Sequence, residues 1–98
     1  MNFEKSEDGR VLKVELAGEI DSLNAGELEE KLMREVKGVT DLTFDLAELE
    51  YISSAGLRIL LSMQKLMKHQ GNMEIKNTND EVMQIFKVTG FVRLLNIV

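Results

Sequence analysis

The sequence predicts a single α/β domain over residues 1–98, with a mixed, mostly parallel sheet of four to five strands, an N-terminal hairpin and three to four helices. Three observations support this fold class. After the hairpin, strand-length apolar segments alternate with segments of helical period, which is typical of crossover units in a parallel sheet. An Asp-Gly turn joins the first two strands. No proline, repeat or low-complexity tract divides the chain.

The first half of the chain provides the hairpin and the first helix. We predict a short strand near Asn2–Lys5, a turn within Glu7–Arg10, and a second strand over Val11–Ala17 with alternating apolar residues. The next helix has Asn24 as its expected N-cap and Lys37-Gly38 at its end. Its apolar stripe consists of Ala25, Leu28, Leu32 and Val36.

The second half alternates strands and helices. Its predicted elements are, in order, a strand over Leu42–Leu46, an acidic loop over Ala47–Glu50, a helix over Leu57–His69, a strand over Met73–Lys76, a helix that Asn79 caps and Thr89-Gly90 ends, and a last apolar segment over Leu94–Val98. Because each crossover leads to a parallel neighbour, the strands end and the helices begin at one edge of the sheet.

Composition argues against most catalytic functions. The chain has no cysteine, and therefore no disulfide, thiolate metal site or cysteine nucleophile. Neither a Gly-rich phosphate loop nor a His/Asp/Glu cluster with metal-ligand spacing occurs. The single histidine, His69, lies at a predicted helix end, where a capping role is preferred over that of a general base. We expect no enzyme activity, no catalytic residue, no metal and no cofactor.

Charge and hydropathy give further expectations about partners. Residues 1–50 carry fourteen acids and six bases, whereas no acid occurs from Tyr51 to Met73, a stretch that includes Arg58, Lys65 and Lys68. An ordinary solvated helix face explains this pattern, and an acidic protein partner is the alternative. The bases are too sparse for a nucleic-acid footprint. No apolar run approaches the roughly 20 residues of a membrane span, and no signal peptide is evident, so we expect a cytoplasmic protein without a membrane partner. We also expect a monomer or weak dimer.

The segment Tyr51–Leu57 is the candidate functional feature. It places Ser53 and Ser54 between a strand and the most apolar helix, followed by Ala55 and Gly56. Serine is a favoured N-cap, so capping alone can explain a serine here. A helix start that carries small residues also accommodates an anion. A phosphate on Ser54 would meet these N–H groups and, if the acidic loop folds back, also face Asp45, Glu48 and Glu50, as a charge switch requires.

This segment, Tyr51-Ile52-Ser53-Ser54-Ala55-Gly56-Leu57, resembles the phosphorylation motif of bacterial anti-sigma factor antagonists in the STAS domain family, which reads aromatic-hydrophobic-Asp-Ser-Ser/Thr-Gly-Leu. Gly18–Asp21 resembles the end of an early strand in that family, and Leu42–Leu46 the strand before the phosphorylated residue. Ile85-Phe86 and Gly90-Phe91 resemble the late helix and its exit. The resemblance covers nearly the whole chain in one register.

The resemblance implies a partner-switching regulator. In this family the unphosphorylated antagonist binds an anti-sigma factor, usually a serine kinase of the histidine-kinase-like ATPase fold, and so frees a sigma factor. The kinase phosphorylates the motif serine and weakens the complex, and a PP2C-type phosphatase reverses the modification. The alternative function is that of a STAS interaction subunit in a transporter or signalling scaffold, in which Ser54 serves only as a helix cap.

Aligned on Gly56, the resemblance assigns the phosphorylated position to Ser54, with Ser53 as the alternative. Ser53 stands where the family has aspartate, and Ala55 replaces a second hydroxyl residue. Arg58, four residues after Ser54, is within reach of a phosphate there, although it is equally explained as an exposed helix arginine. The expected partner-binding residues are Asp21, Ser53, Ser54, Ala55, Gly56, Leu57 and Arg58.

Overall fold

The computed structural model, which describes residues 1–98, has an antiparallel hairpin that opens a parallel sheet. The elements are, in order, β1 (Asn2–Lys5), β2 (Val11–Ile20), α1 (Ala25–Glu35), β3 (Asp41–Ile52), α2 (Ser54–Lys68), β4 (Asn72–Lys76), α3 (Asp80–Thr89) and a 3-10 turn over Phe91–Arg93. The strand order in the sheet is β1-β2-β3-β4. The predicted α/β class with a hairpin and a mostly parallel sheet is confirmed.

The hairpin closes through the predicted Asp-Gly turn. Gly9 has a φ of 75°, a left-handed conformation that glycine adopts without steric cost. The Asp8 carboxylate accepts bonds from the Ser6 hydroxyl at 2.7 Å and the Arg10 N–H at 3.0 Å. These bonds, that from Ser6 first, hold the pKa of Asp8 below its usual value. Turn chemistry that is visible in the sequence therefore sets the register of β1 on β2.

The sheet buries one face against the helices. In β2, the residues Leu12, Val14 and Leu16 are buried, whereas Lys13 and Glu15 between them are half-buried on the open face. The helices supply the other side of the core, and the 24 buried residues form one hydrophobic cluster with no polar member. Burial of apolar area on this scale is the main stabilising contribution in so small a chain.

The predicted acidic loop over Ala47–Glu50 is wrong, because these residues belong to β3. β3 carries two extra residues relative to β2, at register shifts between Glu15 and Ala17 and between Gly18 and Glu19. Such bulges break the two-residue alternation. Consequently the buried residues of this part are three apart: Leu46, Leu49 and Ile52.

Other element boundaries also differ from the expectation. α2 begins at Ser54 rather than Leu57, because the small residues after Ser53 already form its first turn. The last apolar segment contributes only a single parallel bridge, Ile75 to Ile97, beside β4. None of the helices combines the length and the apolarity that crossing a membrane requires.

Candidate functional site

The β2–α1 and β3–α2 connections lie side by side at one edge of the sheet. Ile20 and Ile52, the last residues of the two parallel strands, are register partners. Directly beyond them, the Ser53 N–H donates to the Ile20 carbonyl oxygen over 2.8 Å. The starts of α1 and α2 are therefore neighbours, at the carboxyl edge where ligand sites of α/β sheets tend to occur.

The two adjacent serines have different environments. Ser53 is the N-cap of α2, with extended backbone, and its half-buried hydroxyl accepts a bond from the Gly56 N–H at 3.4 Å. Ser54 is the first helical residue and is exposed. Helix capping therefore explains the serine at position 53 but not the one at position 54, whose hydroxyl does not cap the helix.

The first turn of α2 retains free backbone donors. The Leu57 N–H is the first to bond a helix carbonyl, that of Ser53, at 2.9 Å. The Gly56 N–H bonds the Ser53 side chain. The N–H groups of Ser54 and Ala55 are thus the unsatisfied donors that every helix start presents. No acidic side chain lies in this turn, so its partial positive charge is not compensated locally.

Gly56 and Leu57 face inward. Gly56 is buried, and a Cβ atom built on it would lie 2.6 Å from Ile52 Cγ1 and 2.8 Å from Ile20 Cγ2. Leu57 is only 3% exposed and belongs to the core. Among the residues expected to bind a partner, these two position the helix start. Ser54 and Arg58 form its exposed surface.

Asp21 organises the turn between β2 and α1. Its carboxylate accepts bonds from the Leu23 N–H at 2.9 Å and from the Asn24 N–H at 3.3 Å. In return, the Asn24 side chain accepts from the Asp21 N–H at 2.9 Å and donates to the Glu19 carbonyl at 2.8 Å. Asn24 is thus the N-cap residue of α1, as predicted, but its side chain makes no capping bond to the helix because the amide is already bonded to the strand end.

The carboxylates of the expected charge switch, Asp45, Glu48 and Glu50, do not lie in a loop, because all three belong to β3. Asp45 lies within β3, where its carboxylate accepts from the Ala47 N–H at 3.0 Å and the Asn77 side chain at 3.1 Å. These two bonds, that from Ala47 first, hold the pKa of Asp45 below its usual value, with Lys13 contributing at 3.8 Å. Asp45 is engaged on the sheet, so it does not fold back toward Ser54.

A shallow groove separates the first turns of α1 and α2. Its volume is about 200 Å³, and Glu29 and Arg58 stand at its charged margins. The floor consists of Ala25, Gly26, Ala55 and Ile59. Arg58 makes no ion pair, since every salt bridge of the chain involves other residues.

The single histidine, His69, is exposed at the C-cap of α2, which confirms its predicted place at a helix end.

Sequence reasoning missed one prominent residue at this edge. Leu23, in the turn that Asp21 organises, is 92% exposed, the highest value among the large hydrophobic residues of the chain. The signal was an apolar residue inside an otherwise polar turn between a strand and a helix.

The comparisons with known proteins agree with this fold. The family model of the STAS domain matches residues 2–98. The protein BtrV of Bordetella bronchiseptica, whose name refers to an anti-sigma factor antagonist, is 37% identical over 81% of this chain and 70% of its own length. The anti-sigma-B factor antagonist of Bacillus subtilis is 29% identical over 99% of this chain and 90% of its own. The structure of the anti-sigma factor antagonist SpoIIAA in its unphosphorylated form, 17% identical, shares the fold with a TM-score of 0.81 over 99% of this chain and 88% of that one.

Proposed function

The chain belongs to the STAS domain family, and we propose that it is an anti-sigma factor antagonist whose binding is switched by phosphorylation of Ser54. The choice of Ser54 rests on one observation, the different environments of the two adjacent serines. Ser53 caps α2, whereas the exposed Ser54 hydroxyl is free to be modified. The two relatives named above carry the name of anti-sigma factor antagonists, which supports this class of function.

The proposed partner of the unphosphorylated form is an anti-sigma factor that is also a serine kinase of the histidine-kinase-like ATPase fold. A PP2C-type phosphatase would restore binding, and all of these proteins would act in the cytoplasm. The contact surface is the edge where α1 and α2 begin, with Asp21, Ser54 and Arg58 at its centre. Ser53, Ala55, Gly56 and Leu57 contribute by holding the helix start in place.

A phosphate at Ser54 would act on the partner more than on the fold. It adds about −1.5 to −2 charges at neutral pH, and the free N–H groups of Ser54 and Ala55 stabilise an anion at this helix start. The same charge is introduced at the centre of a surface that must be desolvated in the complex. Since about 1.4 kcal/mol changes affinity tenfold, a modest repulsion is enough to release the partner.

Ser53 supports the choice of Ser54 as the modified residue. A phosphate on Ser53 would remove the oxygen that caps the Gly56 N–H, whereas one on Ser54 leaves the cap intact. Serine and aspartate are comparable N-caps, so the departure from the aspartate of the family motif preserves the local structure.

Phosphate mapping and binding assays test the proposal together. Each purified serine kinase of the histidine-kinase-like ATPase fold from the same organism is incubated with the protein and ATP, and the phosphate is located by mass spectrometry. We expect it on Ser54. Ser54→Ala should bind the kinase without accepting phosphate, Ser54→Asp should bind more weakly, and Ser62→Ala, another exposed serine of α2, serves as the matched control. Equal binding by the alanine and aspartate variants at position 54 would refute the switch.

The absence of the family's aspartate at position 53 supports a second candidate, a STAS interaction subunit of a transporter or signalling scaffold that is not phosphorylated. The two candidates differ in their gene neighbourhood. An adjacent kinase and sigma factor favour the antagonist, whereas an adjacent transporter favours the interaction subunit. They also differ in the assay above, because the interaction subunit would accept no phosphate from any of the kinases.

A further inference from the structure

We propose that Leu23 is the apolar anchor of the partner interface, and that its side chain enters a hydrophobic recess of the anti-sigma factor beside Ser54. This inference rests on the proposed function and extends it to a residue outside the phosphorylation motif. Its starting observation is the 92% exposure of Leu23. Isolated exposed leucines are common on protein surfaces, so the argument depends on how and where this one is held.

The backbone that presents Leu23 is fixed on both sides. Its own N–H bonds the Asp21 carboxylate at 2.9 Å, and the Asn24 side chain bonds the Asp21 N–H and the Glu19 carbonyl. The Ala25 N–H closes the turn on the Asp21 carbonyl at 2.9 Å. Because this backbone is already ordered, a partner that covers Leu23 does not incur the entropy cost of ordering the turn, which is the advantage of preorganisation.

The position of Leu23 is continuous with the proposed phosphorylation surface. Leu23 lies three residues after Ile20, whose carbonyl bonds the Ser53 N–H, so its turn is next to the start of α2. Two residues later, Ala25 begins the floor of the groove between α1 and α2. The small side chains of that floor allow a partner backbone to approach closely. An aliphatic side chain that enters a pocket, surrounded by a polar rim, is one established form of the centre of an interface.

The same geometry explains how the switch would act on this anchor. Leu23 directly precedes the start of α1 and Ser54 begins α2, and these two helix starts are neighbours at one sheet edge. We therefore expect a partner that covers Leu23 to cover Ser54 as well. Phosphate on Ser54 then opposes burial of Leu23, although Leu23 itself does not change. Burial of Leu23 contributes to the affinity for the partner, and the phosphorylation state of Ser54 determines whether the partner can bury Leu23.

The test uses Leu23→Asp and Leu23→Ala in the full chain, with Val88→Asp as the matched control. Val88 is 75% exposed near the end of α3, outside the elements that form the proposed contact surface. Affinity for the purified kinase that phosphorylates Ser54 is measured by calorimetry, and the thermal midpoint is recorded for each variant. We expect Leu23→Asp to bind about tenfold or more weakly, Leu23→Ala to be intermediate, and Val88→Asp to match the wild type.

The outcomes separate this inference from the proposed function. If Ser54→Asp weakens binding but Leu23→Asp binds within about twofold of the wild type, the anchor is refuted and the switch stands. If no kinase binds the wild-type chain, both are refuted. Leu23→Asp could also reduce self-association of the chain without changing its affinity for the kinase. That result would show that Leu23 contacts a second copy of the chain, and it would refute the proposed contact with the anti-sigma factor. Unchanged thermal midpoints attribute any loss of affinity to the surface.

Discussion

A Cβ atom on Gly56 would lie 2.6 Å from Cγ1 of Ile52, so α2 begins in direct contact with the end of β3. Only a residue without a side chain allows this approach. The exposed Ser54 is held at the sheet edge because the residue two positions later packs against the strands. Interior packing and the position of the proposed phosphorylation site are therefore coupled.

We predict that Gly56→Ala lowers the free energy of unfolding by about 1–3 kcal/mol, as overpacking typically does. Gly26→Ala, in the first turn of α1, is the matched control because nothing lies within 4 Å of its added Cβ. Alanine there should stabilise by about 0.5–1 kcal/mol through helix propensity. Urea unfolding measures both. Equal effects of the two substitutions would show that the contact with Ile52 is not tight.

The second prediction concerns the capping serine. Ser53→Ala should lower the free energy of unfolding by about 0.5–2 kcal/mol, because the Gly56 N–H loses its acceptor. Ser53→Asp should stay close to the wild type, since aspartate is an equivalent cap. Ser54→Ala should change stability by less than about 0.5 kcal/mol, as an exposed residue away from the cap. A larger loss for Ser54→Ala than for Ser53→Ala would reverse the assigned roles.

The third prediction concerns Arg58, which lies one turn after Ser54 and forms no ion pair. Phosphorylation of Ser54 should destabilise Arg58→Ala more than the wild type, by about 0.5–1 kcal/mol, because an exposed pair at this spacing is worth little more. The difference should shrink in 1 M salt, where the screening length is about 3 Å. Lys65→Ala, also exposed on α2, is the control. If phosphorylation affects all three proteins equally, Arg58 does not contact the phosphate.

The fourth prediction is a pH dependence at Asp45. Bonds from Ala47 and Asn77 lower the pKa of this carboxyl in the folded state below the reference value of 3.8. The resulting stability is fully present above that value and is lost as pH falls through the lower folded-state pKa. Asp45→Asn should therefore be less stable than the wild type at pH 7, with the difference narrowing below about pH 4. Parallel stability curves from pH 7 to pH 2 would contradict this assignment.

Most of the fold could be predicted because it depends on local patterns. The alternation of Leu12, Val14 and Leu16 identifies β2, and the Asp-Gly turn identifies the hairpin. Asn79 caps α3 as expected, its side chain accepting from the Val82 N–H at 2.8 Å. Each of these features needs only a few consecutive residues, whose period or turn chemistry is the same in any tertiary context.

The errors occurred where the outcome depends on which other groups compete for a residue's hydrogen bonds. The bulges that keep Ala47–Glu50 in β3 arise from pairing with β2, more than twenty residues earlier in the chain. The Asn24 amide is bonded to Asp21 and Glu19 and so does not cap α1, because the strand end offers it closer partners. Neither result follows from residue preferences alone.

By itself, the sequence determined the class of the fold, the order of its elements and the segment that carries the proposed switch, because periodicity and motif spacing are local properties. Only the tertiary structure decided which serine caps α2 and which is exposed, since this depends on the contact of Gly56 with Ile20 and Ile52. It also decided that the turn exposing Leu23 lies at the sheet edge where α2 begins. Two parallel strands that end in register bring their following turns together, and no local pattern records that proximity.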